Sequence, residues 1–71
     1  MSEIINRTWM ERARRDKGYT QSQVAAAAGV TTAYYNRIEN GFCTPNVIVA
    51  IKICDFLHLN VREFLKEKPF K

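Results

Sequence analysis

Residues 20–41 read TQSQVAAAAGVTTAYYNRIENG, and this pattern predicts two short helices joined by a tight turn. Thr20 is followed three residues later by Gln23, the spacing of a capping box, in which each side chain accepts a backbone N–H at the start of a helix. Gly29 can adopt the positive φ that ends such a helix. Thr31 is then placed to cap a second helix. The stretch therefore predicts a helix-turn-helix unit.

Further motifs surround this unit. The chain reads GYTQ at the start of the first helix, V-A-x-x-A-G-V through the turn, and T-x-x-x-Y-x-R-I-E-N-G with a T-P shortly after it. On these motifs, residues 9–65 resemble, without an insertion, the Xre/Cro-type helix-turn-helix repressors of phages, plasmids and bacteria. The resemblance implies an all-α, five-helix, lambda-repressor-like DNA-binding domain in which helices 2 and 3 form the helix-turn-helix.

The resemblance also implies which side chains meet the bases of double-stranded DNA. In this family the second helix of the motif enters the major groove, and the first lies across the backbone. By position, the residues expected to contact bases are Thr32, Ala33, Asn36 and Arg37. Their chemistry fits, because Asn can pair with adenine, Arg with guanine, and Thr or Ala methyl groups can touch a thymine methyl.

Four further residues are expected to contact the DNA backbone: Gln21, Thr31, Tyr34 and Arg14. Gln21 and Thr31 lie near helix N-termini, where free N–H groups and the helix dipole favour phosphate. Two alternatives stay open. In the first, Thr31 serves only as a cap. In the second, Tyr34 only covers the flank of helix 3.

Arg14 and Glu39 occupy the positions where relatives in this family place a buried or half-buried ion pair between helix 1 and the end of helix 3. The resemblance therefore implies a structural ion pair that also aims Arg14 at the DNA backbone. The alternative is an ordinary solvated charge pair, which would contribute little to stability.

The length and charge of the chain suit one small domain with an anionic partner. Its 71 residues are predicted to form a single domain, with a lead-in over 1–7 and a tail over 67–71. The net charge is +4, which favours an anionic partner without naming one. Residues 19–51 contain only Arg37 and Glu39 as charged residues. We therefore predict a neutral, hydrogen-bonding DNA surface with basic residues at its margins.

Capping patterns predict the first and last helices. Thr8 with Glu11 repeats the capping-box spacing and opens a helix over residues 8–17. Asn60 is expected to open a short last helix, Val61–Lys66. The residues of this last helix that we expect to fold back on the core are Phe64 and Leu65.

Helix 4 is predicted to follow the loop after the helix-turn-helix. Thr44 is expected to be its cap, with Pro45 at the first helical position. Apolar residues then repeat at steps of three and four, which is typical of a helix with one buried face. The residues expected on that face are Val47, Ala50, Ile51, Cys54 and Leu57.

The departures from the family pattern are apolar. The residues that stand where relatives commonly carry a polar or small residue are Phe42, Ile48, Val49 and Phe56. Neighbouring exposed apolar groups suggest a partner surface, and we expect a homodimer interface for a transcriptional regulator on a palindromic operator. Two alternatives stay open: these residues enlarge the core, or the chain is an antitoxin-like protein-interaction module that kept the fold.

No pattern for a metal site or a catalytic centre emerges. Cys54 and His58 are four residues apart, but a zinc site needs further ligands, and the chain has one other cysteine and no other histidine. We therefore expect no enzyme activity, no cofactor and no metal. Because no apolar run could span a bilayer and no signal-peptide pattern is present, we expect a cytoplasmic protein.

Overall fold

A computed structural model describes residues 5–67, which form four α-helices and a final 3₁₀ helix. Their bounds are α1 Thr8–Asp16, α2 Gln21–Ala28, α3 Thr32–Glu39, α4 Val47–Leu57 and the 3₁₀ helix Val61–Lys66. The all-α, five-helix prediction is confirmed, and no β-sheet occurs between residues 5 and 67. The predicted lead-in and tail lie partly outside the described residues.

The predicted caps of the helix-turn-helix are confirmed. The Thr20 hydroxyl accepts the backbone N–H of Gln23 at 3.1 Å, and the Gln23 side chain accepts the N–H of Thr20 at 2.8 Å. Gly29 ends α2 with a φ of 74°. Thr31 then accepts the N–H of Tyr34 at 3.1 Å and starts α3. These local bonds satisfy orphan N–H groups at both helix starts, so they fix where α2 and α3 begin.

The core lies where α2 packs against α3 and α4. Its buried residues are Met10, Val24, Ala25, Ala28, Tyr35, Ile38, Ile53 and Leu57. Alanine side chains on α2 let the neighbouring helices approach closely, and the larger residues of α3 and α4 fill the remaining space. This packing buries one face of α3 and leaves the other face free.

The prediction for α4 was wrong in its start and in part of its buried face. Asn46 caps the helix, because its Oδ1 accepts the N–H of Val49 at 2.9 Å, so the helix begins at Val47, two residues after Pro45. Val47 and Ile51, which we expected inside, are 71% and 44% exposed, whereas Ile53 is fully buried. Seven of the first eight residues of α4 are apolar, so spacing alone allowed two different buried faces.

The two ends of the helical array also differ from prediction. Thr8 is the first residue of α1, not its cap, and its N–H and hydroxyl donate to Asn6 Oδ1 at 3.1 and 3.0 Å. Asn60 caps the last helix as predicted, and Phe64 is half-buried. Leu65 is 84% exposed, so its predicted place in the core was wrong.

A buried arginine joins the two ends of the described chain. The Arg7 side chain has no exposed surface, and its Nε lies 2.6 Å from Glu67 Oε2. Its Nη1 donates to the carbonyls of Ile38 and Cys43 at 2.7 and 2.6 Å, and its Nη2 donates to Thr44 Oγ1 at 3.2 Å and to Glu67 Oε1 at 3.0 Å. We call the Arg7–Glu67 pair the clasp. It ties the end of α3 and the following loop to the C-terminal end.

Aromatic residues cover the clasp. The Trp9 and Phe64 rings meet edge to face with centroids 5.1 Å apart, and the Arg7 guanidinium lies 5.3 Å from the Phe64 centroid. Trp9 Nε1 also donates to Glu67 at 3.2 Å. The sequence does not indicate that Arg7 is buried, because arginine is rarely buried without a partner and its partner lies 60 residues away.

Candidate nucleic-acid interface

The outer face of α3 offers hydrogen-bonding groups to solvent. The predicted base-contacting residues that are exposed there are Thr32, Ala33 and Arg37. Asn36 is half-buried beside them, and Tyr35 and Ile38 are buried on the opposite face, as predicted. An α-helix with its side chains is about 10 to 12 Å in diameter, and the major groove is about 12 Å wide. The outer face of α3 therefore has the size and the chemistry to meet base edges.

The start of α3 combines capping with an exposed edge. The Thr31 hydroxyl serves as the cap, which confirms that role, and the residue itself is exposed. Tyr34 is half-buried and packs against the core, so it does cover the flank of the helix. The exposed N-terminus still presents backbone N–H groups, which are favourable partners for a phosphate.

The predicted ion pair between α1 and the end of α3 is confirmed. Arg14 Nε lies 2.7 Å from Glu39 Oε2, and the exposed fractions of the two side chains are 11% and 3%. A second bond joins Arg14 Nη2 to Glu39 Oε1 at 3.1 Å. Tyr35 and Gln21 also donate to the carboxylate, at 2.9 and 2.8 Å. The pair is therefore buried and fully hydrogen-bonded, unlike a solvated surface pair.

The same geometry corrects the expected role of Arg14 at the DNA backbone. Besides its two bonds to Glu39, its Nη1 donates to the carbonyl of Tyr19 at 2.9 Å. The guanidinium is therefore turned into the protein, and it locks α1, the loop and α3 together. Since Arg7 is buried as well, two basic residues in the N-terminal part of the chain have structural roles.

The network keeps its groups in the expected charge states. Burial raises the pKa of Glu39, but hydrogen bonds from Arg14, Gln21 and Tyr35 outweigh this effect and leave the pKa below its ordinary value. The hydrogen bond to Glu39 raises the pKa of Arg14. Burial, together with the nearby carboxylate, raises the pKa of Tyr35. Glu39 is therefore ionised and Tyr35 neutral at neutral pH.

Gln21 is drawn into this network, which the sequence did not reveal. It is half-buried, and its Oε1 accepts from Asn36 Nδ2 at 3.1 Å while its Nε2 donates to Glu39. Asn36 Oδ1 in turn accepts from Asn40 Nδ2 at 3.2 Å. In the sequence, only the position of Gln21 at the start of α2 indicated a role for it, and that position indicated a phosphate contact. Spacing within one helix cannot report a bond between two helices.

Comparison with known proteins identifies the family. A helix-turn-helix family profile matches residues 10–64. The chain is 43% identical over 61 residues to an uncharacterized HTH-type transcriptional regulator, YqaF of Bacillus subtilis strain 168, with 86% of this chain and 80% of YqaF aligned. The chain belongs to the Xre/Cro-type helix-turn-helix family of DNA-binding transcriptional regulators.

Solved structures of such regulators share the fold of this family member. It is similar to the N-terminal DNA-binding domain of SinR from Bacillus subtilis, with a TM-score of 0.73, 32% identity, and 86% of this chain and 90% of that chain covered. It is also similar to SinR in complex with DNA, with a TM-score of 0.72, 30% identity, and 83% and 95% covered. The regulator therefore has the fold of DNA-binding helix-turn-helix domains, with α3 in the place of the motif's second, or recognition, helix.

The regulator exposes apolar side chains in the loop after α3 and on α4. Phe42 and Ile48 are 59% and 66% exposed, as a partner surface requires. Val49 and Phe56, which we had assigned to the same surface, are half-buried and pack against the core. Phe56 stacks on Tyr19 with ring centroids 4.5 Å apart. Because Val47 and Ile51 are exposed on α4, we define the apolar patch as Phe42, Val47, Ile48 and Ile51.

Cys54 and His58, the two residues whose spacing could suit a metal ion, lie at the end of α4 and not on the outer face of α3. Burial raises the pKa of the Cys54 thiol to about 11, and His58 is an exposed residue that ends α4 with a φ of 56°. Residues 5–67 hold no group of three or more His, Cys, Asp and Glu side chains that could bind a metal ion. Within the same range, no helix is long and apolar enough to cross a membrane.

Proposed function

We propose that this regulator acts on a specific double-stranded DNA site, which it binds as a homodimer in the manner of a repressor. The observation that carries the proposal is the recognition helix itself, whose polar outer face is exposed while a buried ion pair fixes its C-terminal end. SinR has been solved in complex with DNA, which supports the same use of the fold. A DNA partner favours the cytoplasm as the place of action.

The proposed base contacts are Thr32, Ala33, Asn36 and Arg37. Arg37 matches guanine and Asn36 matches adenine, and the methyl groups of Thr32 and Ala33 match thymine. The proposed backbone contacts are made by the N-terminal N–H groups of α2 and α3, at Gln21 and Thr31, and by Tyr34. The Tyr34 contact requires the exposed part of this half-buried side chain to face the sugar-phosphate chain.

The proposed dimer contact is the apolar patch, with one copy meeting the other across a two-fold axis. A two-fold dimer would place the two recognition helices about 34 Å apart, which suits successive major grooves and a palindromic operator. The interface is small, so we infer a weak dimer in free solution that DNA strengthens by holding both half-sites at once.

The apolar patch also favours a second candidate function, a protein-interaction module of the antitoxin type. Exposed apolar residues in a small domain are a suitable anchor for another protein. The two candidates differ in what DNA binding requires. A homodimeric regulator needs the patch for tight binding to its operator, whereas a protein-binding module does not.

Selection from random double-stranded DNA by the purified protein tests the proposed function. The selected sequences should converge on two related half-sites in inverted orientation with centres about 10 base pairs apart. Their affinity should exceed that of unselected duplex of the same length by at least about 10³-fold at equal salt. No enrichment after repeated rounds, with the protein folded throughout, would reject specific DNA recognition and leave the protein-interaction candidate.

A further inference from the structure

The half-buried amide of Asn36 is held from both sides by other amides. Its Nδ2 donates to Gln21 at 3.1 Å, and its Oδ1 accepts from Asn40 at 3.2 Å. Gln21 Nε2 donates in turn to Glu39 Oε1 at 2.8 Å. An unbroken series of hydrogen bonds therefore runs from a buried carboxylate to a side chain on the outer face of the recognition helix.

The carboxylate sets the direction of every bond in this series. An ionised carboxylate can only accept hydrogen bonds, whereas an amide has one donating end and one accepting end. Gln21 must therefore turn Nε2 toward Glu39, which leaves its Oε1 facing Asn36. Only the donating end of Asn36 can meet that oxygen, so its accepting end faces Asn40. Arg14 keeps Glu39 ionised, and the orientation of Asn36 follows.

We propose that Gln21 is a positioning residue that fixes the orientation of the Asn36 amide for reading one base pair. The proposal rests on the proposed function, in which Asn36 contacts a base. In this role Gln21 acts through Asn36, and its own side chain need not touch DNA. This differs from the phosphate contact that the start of a helix would otherwise suggest.

The fixed orientation has a consequence for base choice. Asn36 keeps one N–H on Nδ2 and one lone pair on Oδ1 free, because each amide end uses only part of its capacity within the protein. Adenine presents an acceptor at N7 and a donor at N6, whereas guanine presents acceptors at both N7 and O6. An amide that cannot turn over keeps its acceptor beside one fixed position. In a bidentate contact, Nδ2 donates to adenine N7 and Oδ1 accepts from N6, whereas with guanine Oδ1 meets an acceptor whichever way the amide is turned. A held amide cannot swing aside to offer guanine its N–H alone, so adenine is preferred.

Holding the amide in advance also favours tight binding. A free asparagine side chain must be ordered when it meets a base, and ordering a side chain opposes association. Here two neighbours order it before DNA arrives. Release of Asn36 should therefore lower both the affinity for the preferred site and the discrimination at one base pair.

The experiment compares protein variants on a small set of duplexes. The first probe is the duplex that the wild-type protein selects from random DNA. The other probes are the same duplex with each of the other base pairs at one position, the position where Asn36→Ala relaxes the base preference. The test variant is Gln21→Met, which keeps the side-chain length and removes both hydrogen bonds. We expect the preference for adenine over guanine to fall about 3- to 10-fold, part of the discrimination that a bidentate contact supplies.

Two controls separate positioning from a general structural effect. Tyr35→Phe also removes one neutral donor from Glu39 but leaves Asn36 bound to Gln21, so the preference should be unchanged. In the Asn36→Ala background, Gln21→Met should change the preference no further, because there is no amide left to position. Should Gln21→Met fail to fold, the exposed Asn40→Ala frees the other end of Asn36 and should also reduce the preference.

Each remaining outcome overturns the proposal in a distinguishable way. Equal weakening of Gln21→Met on every duplex would make Gln21 a phosphate contact. An equal loss of preference in Tyr35→Phe would assign the effect to Glu39 alone. If Asn36→Ala changes no base preference at all, the base-reading role in the proposed function is wrong, and the positioning role falls with it. If Asn36→Ala relaxes preference and Gln21→Met does not, only the positioning role is wrong.

Discussion

Glu39 is the residue on which the recognition helix depends most. Its carboxylate accepts hydrogen bonds from three different side chains and is 3% exposed. Removing one partner from a buried ion pair leaves the other charge buried and unpaired, which is far more costly than breaking a surface pair. Arg14 would be that unpaired charge.

We predict that Glu39→Gln lowers the free energy of unfolding by about 3 to 5 kcal/mol at neutral pH. Because the pKa of Glu39 is lowered on folding, its contribution is complete above the ordinary carboxylate pKa of about 4.3 and is lost as the pH falls through the folded value. Denaturant unfolding between pH 7 and pH 3 measures this. The variant should lose part of the acid sensitivity of the wild type.

The matched control for Glu39 is Glu11→Gln. Glu11 pairs with Arg15 on the exposed face of α1, at 2.8 Å, and such a helix pair contributes at most about 0.5 kcal/mol. Equal stability losses in the two variants, or an unchanged acid profile in Glu39→Gln, would contradict the buried pair.

The two buried arginines show what the sequence can and cannot predict at this scale. Arg14 and Glu39 were predicted correctly because the family resemblance fixes their positions within an intact R-I-E-N-G motif. Arg7 stands between Asn6 and Thr8 near the N-terminus, and nothing in the neighbouring sequence points to Glu67, 60 residues away. A contact between the ends of a chain depends on the packing of everything between them.

Among the elements, the short helices of the motif were predicted best. Their ends are set by local bonds, such as the Thr20 capping box and the left-handed Gly29, so the sequence alone determines them. The buried face of α4 was predicted less well, because apolar residues occur on all its sides. Packing against α2 selects the face that contains Ile53.

The face of α4 can be tested by two truncations. Ile53→Ala should lower the free energy of unfolding by about 2 to 5 kcal/mol, because it leaves a cavity in the core. Val47→Ala, at a position that is 71% exposed, should change it by less than about 0.5 kcal/mol. Thermal or denaturant unfolding measures both. A larger loss for Val47 than for Ile53 would show that the helix is rotated from the orientation described.

The clasp between the ends makes a separate prediction. Glu67→Gln removes the charge that faces Arg7 and should lower the free energy of unfolding by about 3 to 5 kcal/mol, since Arg7 stays buried. Its bond to Trp9 also makes the fluorescence of this single tryptophan a direct report. The control is Glu63→Gln, whose pair with Lys66 is largely exposed. If the two variants had the same stability and the same fluorescence, the proposed contribution of the clasp to folding would be wrong.

The whole molecule presents two surfaces, the outer face of α3 and the apolar patch. We predict that Ile48→Glu leaves the monomer folded, weakens self-association and reduces affinity for a two-half-site duplex by at least about tenfold, because the second half-site no longer contributes. Sedimentation and DNA titration measure the two effects. The control is Val61→Glu, which alters an exposed apolar residue of the 3₁₀ helix. Unchanged association and affinity in Ile48→Glu would exclude the patch as the dimer contact.

At this scale the sequence predicted the fold and the exposed outer face of α3, but only two of the four apolar residues that it placed at the surface. Phe42 and Ile48 are exposed as expected, whereas Val49 and Phe56 pack against the core, and Phe56 also stacks on Tyr19. An unusual apolar residue in a small domain can either extend the core or cover a partner. Only its neighbours in space decide which.

The central claim is that side chains of the recognition helix read base sequence, and Arg37 tests it most directly. Titration of wild type and Arg37→Ala with the selected duplex and with a random duplex, at equal salt, gives a specificity ratio for each protein. If α3 reads bases, Arg37→Ala costs about 1 to 3 kcal/mol on the selected duplex and much less on the random one. Arg62→Ala, the charge-matched control on the 3₁₀ helix, should leave the ratio unchanged. Equal weakening of Arg37→Ala on both duplexes would contradict base reading by α3.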